Sequence, residues 1–133
     1  MNRAFGDASY YLALLNVDDE LHEKAVSVTP DLSSEIVTTT WVLTEVVDAL
    51  SSPPQRAAAV GFVNDCRAHA HVAIVPPSQD LFDRGLDLFA RRPDKSWSLT
   101  DCISFVVMGE RHLTDALSAD HHFEQAGFTI LLK

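Results

Sequence analysis

Ser96-Trp97-Ser98-Leu99-Thr100-Asp101-Cys102-Ile103-Ser104-Phe105-Val106-Val107-Met108 passes from a polar loop into a mostly apolar helix. Ser98 and Asp101 have the spacing of a capping box. The hydroxyl accepts an otherwise unpaired N–H of the first turn, and the carboxylate reaches back to the N–H of the cap. Trp97 and Cys102 stand where a hydrophobic staple would sit. Leu99, Cys102, Ile103, Val106 and Val107 recur at helical spacing, so the helix turns a face to a core. Asp101 is thereby placed in the first turn of a buried helix, near its positive end. A carboxylate there is ordinary capping chemistry. Any further role depends on what the rest of the chain brings to it.

Upstream, Arg91-Arg92-Pro93-Asp94-Lys95 is a basic loop. Before it, Ser78 caps a helix that runs to about Arg91 with Leu81, Phe82, Leu86 and Phe89 expected inward. Val72-Ala73-Ile74-Val75 is a continuous apolar strand, the pattern of a parallel sheet covered on both faces, and Pro76-Pro77 ends it. Gln55 to about His69 is a helix entered through the break Ser51-Ser52-Pro53-Pro54. Glu35 to Thr39 is a β-branched strand. It runs straight into a helix from Thr40 to about Leu50 with Leu43, Val46, Val47 and Leu50 inward. Glu45 lies at the edge of that stripe, where a half-buried carboxylate needs a partner or a metal. A charged helix begins at Asp18 or Asp19 and reaches about Val28, with Pro30 helping to end it. Arg3 to Asp7 is a first strand with Asp7 at its carboxyl end. Asp7 can cap the apolar helix Ala8 to Leu15. Downstream of the opening stretch, Asp115 to Ala119 is a strand, Asp120 opens a small helix from His121 to Ala126, and Gly127 stops it. Phe128 to Leu132 is a last strand. Strands and helices alternate, which is the α/β class with a parallel sheet.

The 133 residues suit a single domain, and a hydrophobic fraction of 47% is ordinary for a globular chain. No apolar run is long enough to cross a bilayer. Tyr10 to Leu15 follows Asp7 with only Arg3 before it, a poor export signal, so the cytoplasm is the expected compartment. Cys66 and Cys102 lie in apolar helical contexts outside any C-x-x-C pair and read as buried thiols. The six histidines show no H-x-x-x-H or H-E-x-x-H spacing and read as surface or packing residues. A net charge of −9 excludes broad non-specific nucleic-acid binding. Any polyanion contact must be a local patch, for which Arg84, Arg91, Arg92 and Lys95 are the candidates.

Sites in open parallel sheets form beyond the carboxyl ends of the strands. Asp7 and Asp120 fall at such ends, while Glu45 and Asp101 sit early in helices. Asp115 is a rival fourth acid, but Asp120 lies past its strand. Gathered at one edge, these carboxylates would call for hard divalent cations and suit phosphoryl chemistry.

Periodicity alone does not gather them; a resemblance does. Phe5-Gly6-Asp7-Ala8-Ser9-Tyr10-Tyr11-Leu12, Thr39-Thr40-Trp41-Val42-Leu43-Thr44-Glu45, Lys95 to Phe105 and Ala116 to Phe128 occur in the order of the PIN-domain family. Within it the chain resembles the VapC-like toxin ribonucleases of type II toxin–antitoxin pairs. The likeness covers essentially the whole chain. It implies one PIN-like domain over residues 1–133, with a central five-stranded parallel sheet flanked by about seven helices. It implies an acidic site of Asp7, Glu45, Asp101 and Asp120 holding Mg²⁺ or Mn²⁺. Asp7 and Asp101 would be the main ligands, and Ser9 and Ser118 their hydrogen-bonding neighbours. Ala8 departs from the Thr usual after the first Asp, which would loosen one supporting hydrogen bond. The implied activity is endonucleolytic hydrolysis of single-stranded or loop RNA, with Arg91, Arg92 and Lys95 on the phosphates. The implied partner is a cognate antitoxin, and the sequence leaves monomer and homodimer both open. An inactive PIN-like module used for protein or RNA binding is the alternative. A receiver-like phospho-acceptor fits less well, because Val75-Pro76-Pro77 offers no acceptor Asp.

Overall fold

The computed structural model describes residues 3–29 and 34–133. The chain alternates strands and helices in the order β1 (Arg3–Gly6), α1 (Ala8–Leu15), α2 (His22–Val28), β2 (Glu35–Thr39), α3 (Thr40–Ala49), α4 (Arg56–Ala68), β3 (Val72–Val75), α5 (Gln79–Arg91), α6 (Leu99–Glu110), β4 (Asp115–Leu117), α7 (His121–Gln125) and β5 (Thr129–Ile130). The strands form one five-stranded sheet in the order β3-β2-β1-β4-β5. Every pairing is parallel, with Ala4 beside Ile36 and Phe5 beside both Val37 and Ala116. The expected class, sheet and helix complement are therefore those observed. Among the described residues no helix is long and apolar enough to cross a membrane.

Phe5, Val37, Ala116 and Leu117 are fully buried in the central strands, in one core with Val42, Val46, Met108 and Phe123 from the helices. The capping box of α6 is present in both directions: Ser98 Oγ accepts from the Asp101 N–H at 3.0 Å, and Asp101 Oδ2 accepts from the Ser98 N–H at 3.1 Å. Cys66 and Cys102 are buried free thiols. Trp97 is buried edge-on to Phe105.

Three expectations need correction. The second helix begins at His22, not at Asp18 or Asp19, because Asn16 Oδ1 and Asp19 Oδ1 take the N–H groups of Asp18 and Leu21 and hold a turn there. Pro30, expected to help end this helix, lies outside the described residues. The strand Val72–Val75 is an edge strand, and only Val75 is fully buried. On α5, Leu81, Gly85 and Leu88 face α6, whereas Phe82, Leu86 and Phe89 point to solvent with 37%, 45% and 47% of their surface exposed. The reason is Gly85. A Cβ there would collide with the Ile103 side chain and meet its backbone at 3.3 Å, so α5 and α6 approach more closely than any side chain permits. That contact sets the rotation of α5 and turns its larger residues outward.

Gly85→Ala tests this packing. The added methyl overpacks the α5–α6 contact by about 1–3 kcal/mol. The better helix propensity of Ala returns about 1 kcal/mol. A net loss of about 1 kcal/mol and a melting point lower by several degrees are expected in thermal unfolding. A more stable variant would mean that the two helices are not in close contact.

Candidate active site

The chain leaves β1 through β2 to β3 on one flank and returns to β4 on the other. The sheet's switch point therefore lies between β1 and β4, at their carboxyl ends. Asp7 follows β1 directly and is buried. It occupies the N-cap position of α1, but its side chain makes no capping bond, contrary to the simplest sequence reading. The carboxylate is held by two serines instead. Ser118 Oγ donates to Asp7 Oδ2 at 2.8 Å, and Ser9 Oγ donates to the same oxygen at 3.0 Å. Ser9 and Ser118 are joined in turn to the backbone N–H groups of Ala119 and Asp120, each at 3.0 Å. The two serines expected beside the first acid are both there.

Asp101 reaches the same edge from α6. Arg3 Nη1 donates to the Arg111 carbonyl at 3.0 Å, which ties the end of α6 to the start of β1. The start of α6, with buried Asp101, consequently lies at the opposite, carboxyl edge. Asp120 follows β4 at that edge and caps α7, while Asp115 starts β4 at the far end. Glu45 comes from the middle of α3; the residue as a whole is exposed, but its carboxyl is partly withdrawn from water.

The four acids also act on one another through their charges. Burial raises the Asp7 carboxyl above its ordinary value, the two serine hydrogen bonds oppose this, and the Asp101 charge adds to it. The Glu45 carboxyl is pushed up to about 7, by burial first and then by the charges of Asp7 and Asp101. A hydrogen bond from Thr100 opposes that rise, and Asp120 contributes a smaller increase. The charges of Asp7, Asp101 and Asp120 are thus all felt at Glu45. Among the described residues, no Lys or Arg forms an ion pair with any of them.

The residue that sequence reading missed is His122. Its Nδ1 lies 3.1 Å from Asp101 Oδ2 and 3.3 Å from Asp120 Oδ1. Asp120, His121 and His122 bring potential ligand atoms within 4.8 Å of one another. The signal lay in position rather than in metal-ligand spacing. The Asp120 cap accepts the backbone N–H of His122 at 2.9 Å, and the imidazole of this residue turns back to 3.3 Å from the same oxygen.

The basic residues are already paired. Arg91 bonds Asp87, Arg92 bonds Asp94 and stacks over Trp97 at 5.0 Å, and Lys95 lies 4.0 Å from Asp94. Arg84 bridges Asp80 and Glu110.

The PIN domain pattern matches residues 4–129. The chain belongs to the PIN-domain family. It is 27% identical over 124 residues to the 23S rRNA-specific endonuclease VapC20 of Mycobacterium tuberculosis, in each of two strains, covering 93% of this chain and 94% of the relative. The crystal structure of M. tuberculosis VapC20, described as a sarcin–ricin loop cleaving toxin, superposes with a TM-score of 0.84 over 95% of this chain and 96% of that one, again at 27% identity. This PIN domain therefore shares fold and extent with a toxin ribonuclease.

The donor set fits a hard divalent cation. It offers carboxylate oxygens, and each of Asp7, Asp101 and Asp120 has one oxygen anchored by protein N–H or O–H groups.

Glu45 supplies a pH test. A carboxyl raised from 4.5 to about 7 binds its proton more tightly in the folded chain. Its contribution to stability is full below about pH 4.5 and is lost as pH rises through about 7. In metal-free protein, wild type should therefore lose stability relative to Glu45→Gln between about pH 5 and pH 8, by about 1 kcal/mol after discounting for solvent screening at this exposed group. Denaturant melts at both ends of the range measure the gap, and an unchanging gap contradicts the crowding.

Proposed function

We propose that this PIN domain is a divalent-metal-dependent endoribonuclease and the toxin of a toxin–antitoxin pair. The observation that carries the reading is the cleft of Asp7, Glu45, Asp101 and Asp120, which has no Lys or Arg counter-ion among the described residues. The toxin relative, matched along nearly its full length, supports it. Mg²⁺ or Mn²⁺ held by Asp7 and Asp101, with Glu45 and Asp120 completing its surroundings, would offset the repulsion, acidify a water and stabilise the leaving oxygen of a phosphodiester.

The chain's own groups supply the rest. Ser9 and Ser118 fix Asp7, so its carboxylate is already oriented before substrate arrives. Glu45 and Asp120 would orient the attacking water. In-line attack then leaves a 3′-hydroxyl and a 5′-phosphate. Arg91, Arg92 and Lys95 contact the phosphates on either side of the cut. Their ion pairs with Asp87 and Asp94 are exposed, so exchanging them for phosphate contacts costs little.

An unpaired RNA loop suits this cleft, since its backbone can be drawn in without opening a duplex. The relative's activity makes 23S rRNA, and its sarcin–ricin loop in particular, the first substrate to assay. The antitoxin would lay a helix along the groove and set a basic side chain among the carboxylates. The outward stripe of Phe82, Leu86 and Phe89 supports the homodimer, since none of the described residues covers it.

Activity on 23S rRNA and on a synthetic loop with Mn²⁺ tests the proposal. Even an outer partner of a metal ligand is worth about 10–100-fold, so Asp7→Asn and Asp101→Asn should each cost at least that much. Equal activity in wild type and Asp101→Asn would overturn the assignment. Absence of activity together with no Mn²⁺-dependent rise in melting temperature would leave an inactive binding module.

A further inference from the structure

We propose that His122 is a positioning residue that selects which oxygens of Asp101 and Asp120 face the metal. The inference rests on the reading of the acidic cleft as a metal site.

Ionised carboxylates only accept hydrogen bonds. An imidazole nitrogen lying 3.1 Å from Asp101 Oδ2 and 3.3 Å from Asp120 Oδ1 must therefore carry the proton. His122 Nδ1–H donates to Asp101 Oδ2, stands 3.3 Å from Asp120 Oδ1 and so bridges α6 to α7. The consequence lies in which oxygens are used. Asp101 Oδ2 receives both the Ser98 N–H and His122 Nδ1–H. Asp120 Oδ1 receives the backbone N–H of His122, and the Nδ1 of the same residue stands 3.3 Å from it. Asp7 repeats the pattern, with both serines on Oδ2. In each case the second oxygen receives no side-chain donor among the described residues, and it is left for a cation.

A single cap bond would not achieve this. The terminal torsion of an Asp side chain is broad and nearly two-fold, so one donor leaves the carboxylate plane free to swing. A second donor from another helix fixes it. The second donor is itself well anchored. Phe123, the next residue, is fully buried with its ring 4.9 Å from Phe105 and 6.2 Å from Phe5. Trp97 Nε1 donates to Gln125 Oε1 at 3.0 Å and ties the other end of α7 to the loop before α6.

Calorimetric titration of the intact protein with Mn²⁺ reads the effect without substrate. Outer partners of metal ligands are worth about 10–100-fold in affinity, and His122→Ala should weaken Mn²⁺ binding by that order. His122→Asn, whose amide N–H can stand where Nδ1–H stands, should stay within about threefold of wild type. His122→Gln, which reaches instead toward the Nε2 position, should behave like the Ala variant. With RNA at saturating Mn²⁺, His122→Ala should lower kcat and leave the KM for RNA unchanged. Equal Mn²⁺ affinity in wild type and His122→Ala overturns the proposal and leaves the metal site standing. So does rescue by Gln but not by Asn, or a rise in KM alone. Wild type that binds no Mn²⁺ overturns both readings together.

Discussion

Repulsion among Asp7, Glu45, Asp101 and Asp120 is the constraint on which the rest of this molecule depends. Negative groups crowded together are unfavourable, and partial burial weakens the screening that water would supply. Burial first, and then the charges of Asp7 and Asp101, push the Glu45 carboxyl up to about 7. The chain does not relieve it with a Lys or Arg among the described residues. It spends hydrogen bonds on holding the acids in place: two serine hydroxyls on Asp7, a cap N–H and an imidazole on Asp101. Such an arrangement destabilises the empty protein and favours whatever positive charge enters it. The same field favours a basic group presented by a partner, so one cleft would serve both catalysis and its inhibition.

The parallel sheet makes the arrangement possible. β1 lies in the middle with β2 and β4 on its flanks, so the segments after all three strands emerge side by side. α6 has to bring the chain back to the start of β4, so its first turn lies at the carboxyl edge and its last turn near Arg3. Asp101 has two duties in consequence. Its Oδ2 closes the capping box, and the same carboxylate lines the cleft. A helix cap and a candidate metal ligand are one side chain.

Much of the fold could be read from local rules. The β-branched run Glu35–Thr39, the Pro53-Pro54 break, the Ser78 cap and the Ser98–Asp101 box each declare an element through chemistry confined to a few neighbours. What local rules do not carry is which face of an amphipathic helix meets which neighbour. α5 has apolar residues around more than half its circumference, and the close contact at Gly85 decided the matter in favour of the smaller ones. β3 reads like a central strand, but sheet order put it at the edge. The site divides in the same way. The four acids were legible as strand-end and helix-start residues, and the family likeness joined them. Local rules made Asp7 a cap and a strand-end acid, and its serine neighbours came with the family likeness, because Ser118 lies far along the chain. His122 was invisible to ligand-spacing rules, since its partners are acids on two different helices rather than other histidines.

The central claim is that these separated acids form one cation site, and the most direct measurement is anomalous diffraction from crystals soaked in Mn²⁺. The account predicts a single strong peak at about 2.0–2.3 Å from one oxygen each of Asp7 and Asp101, on the oxygens that the serines, Ser98 and His122 leave free. A strong peak elsewhere on the molecule, or no peak at this edge with Mn²⁺ in millimolar excess, would contradict it.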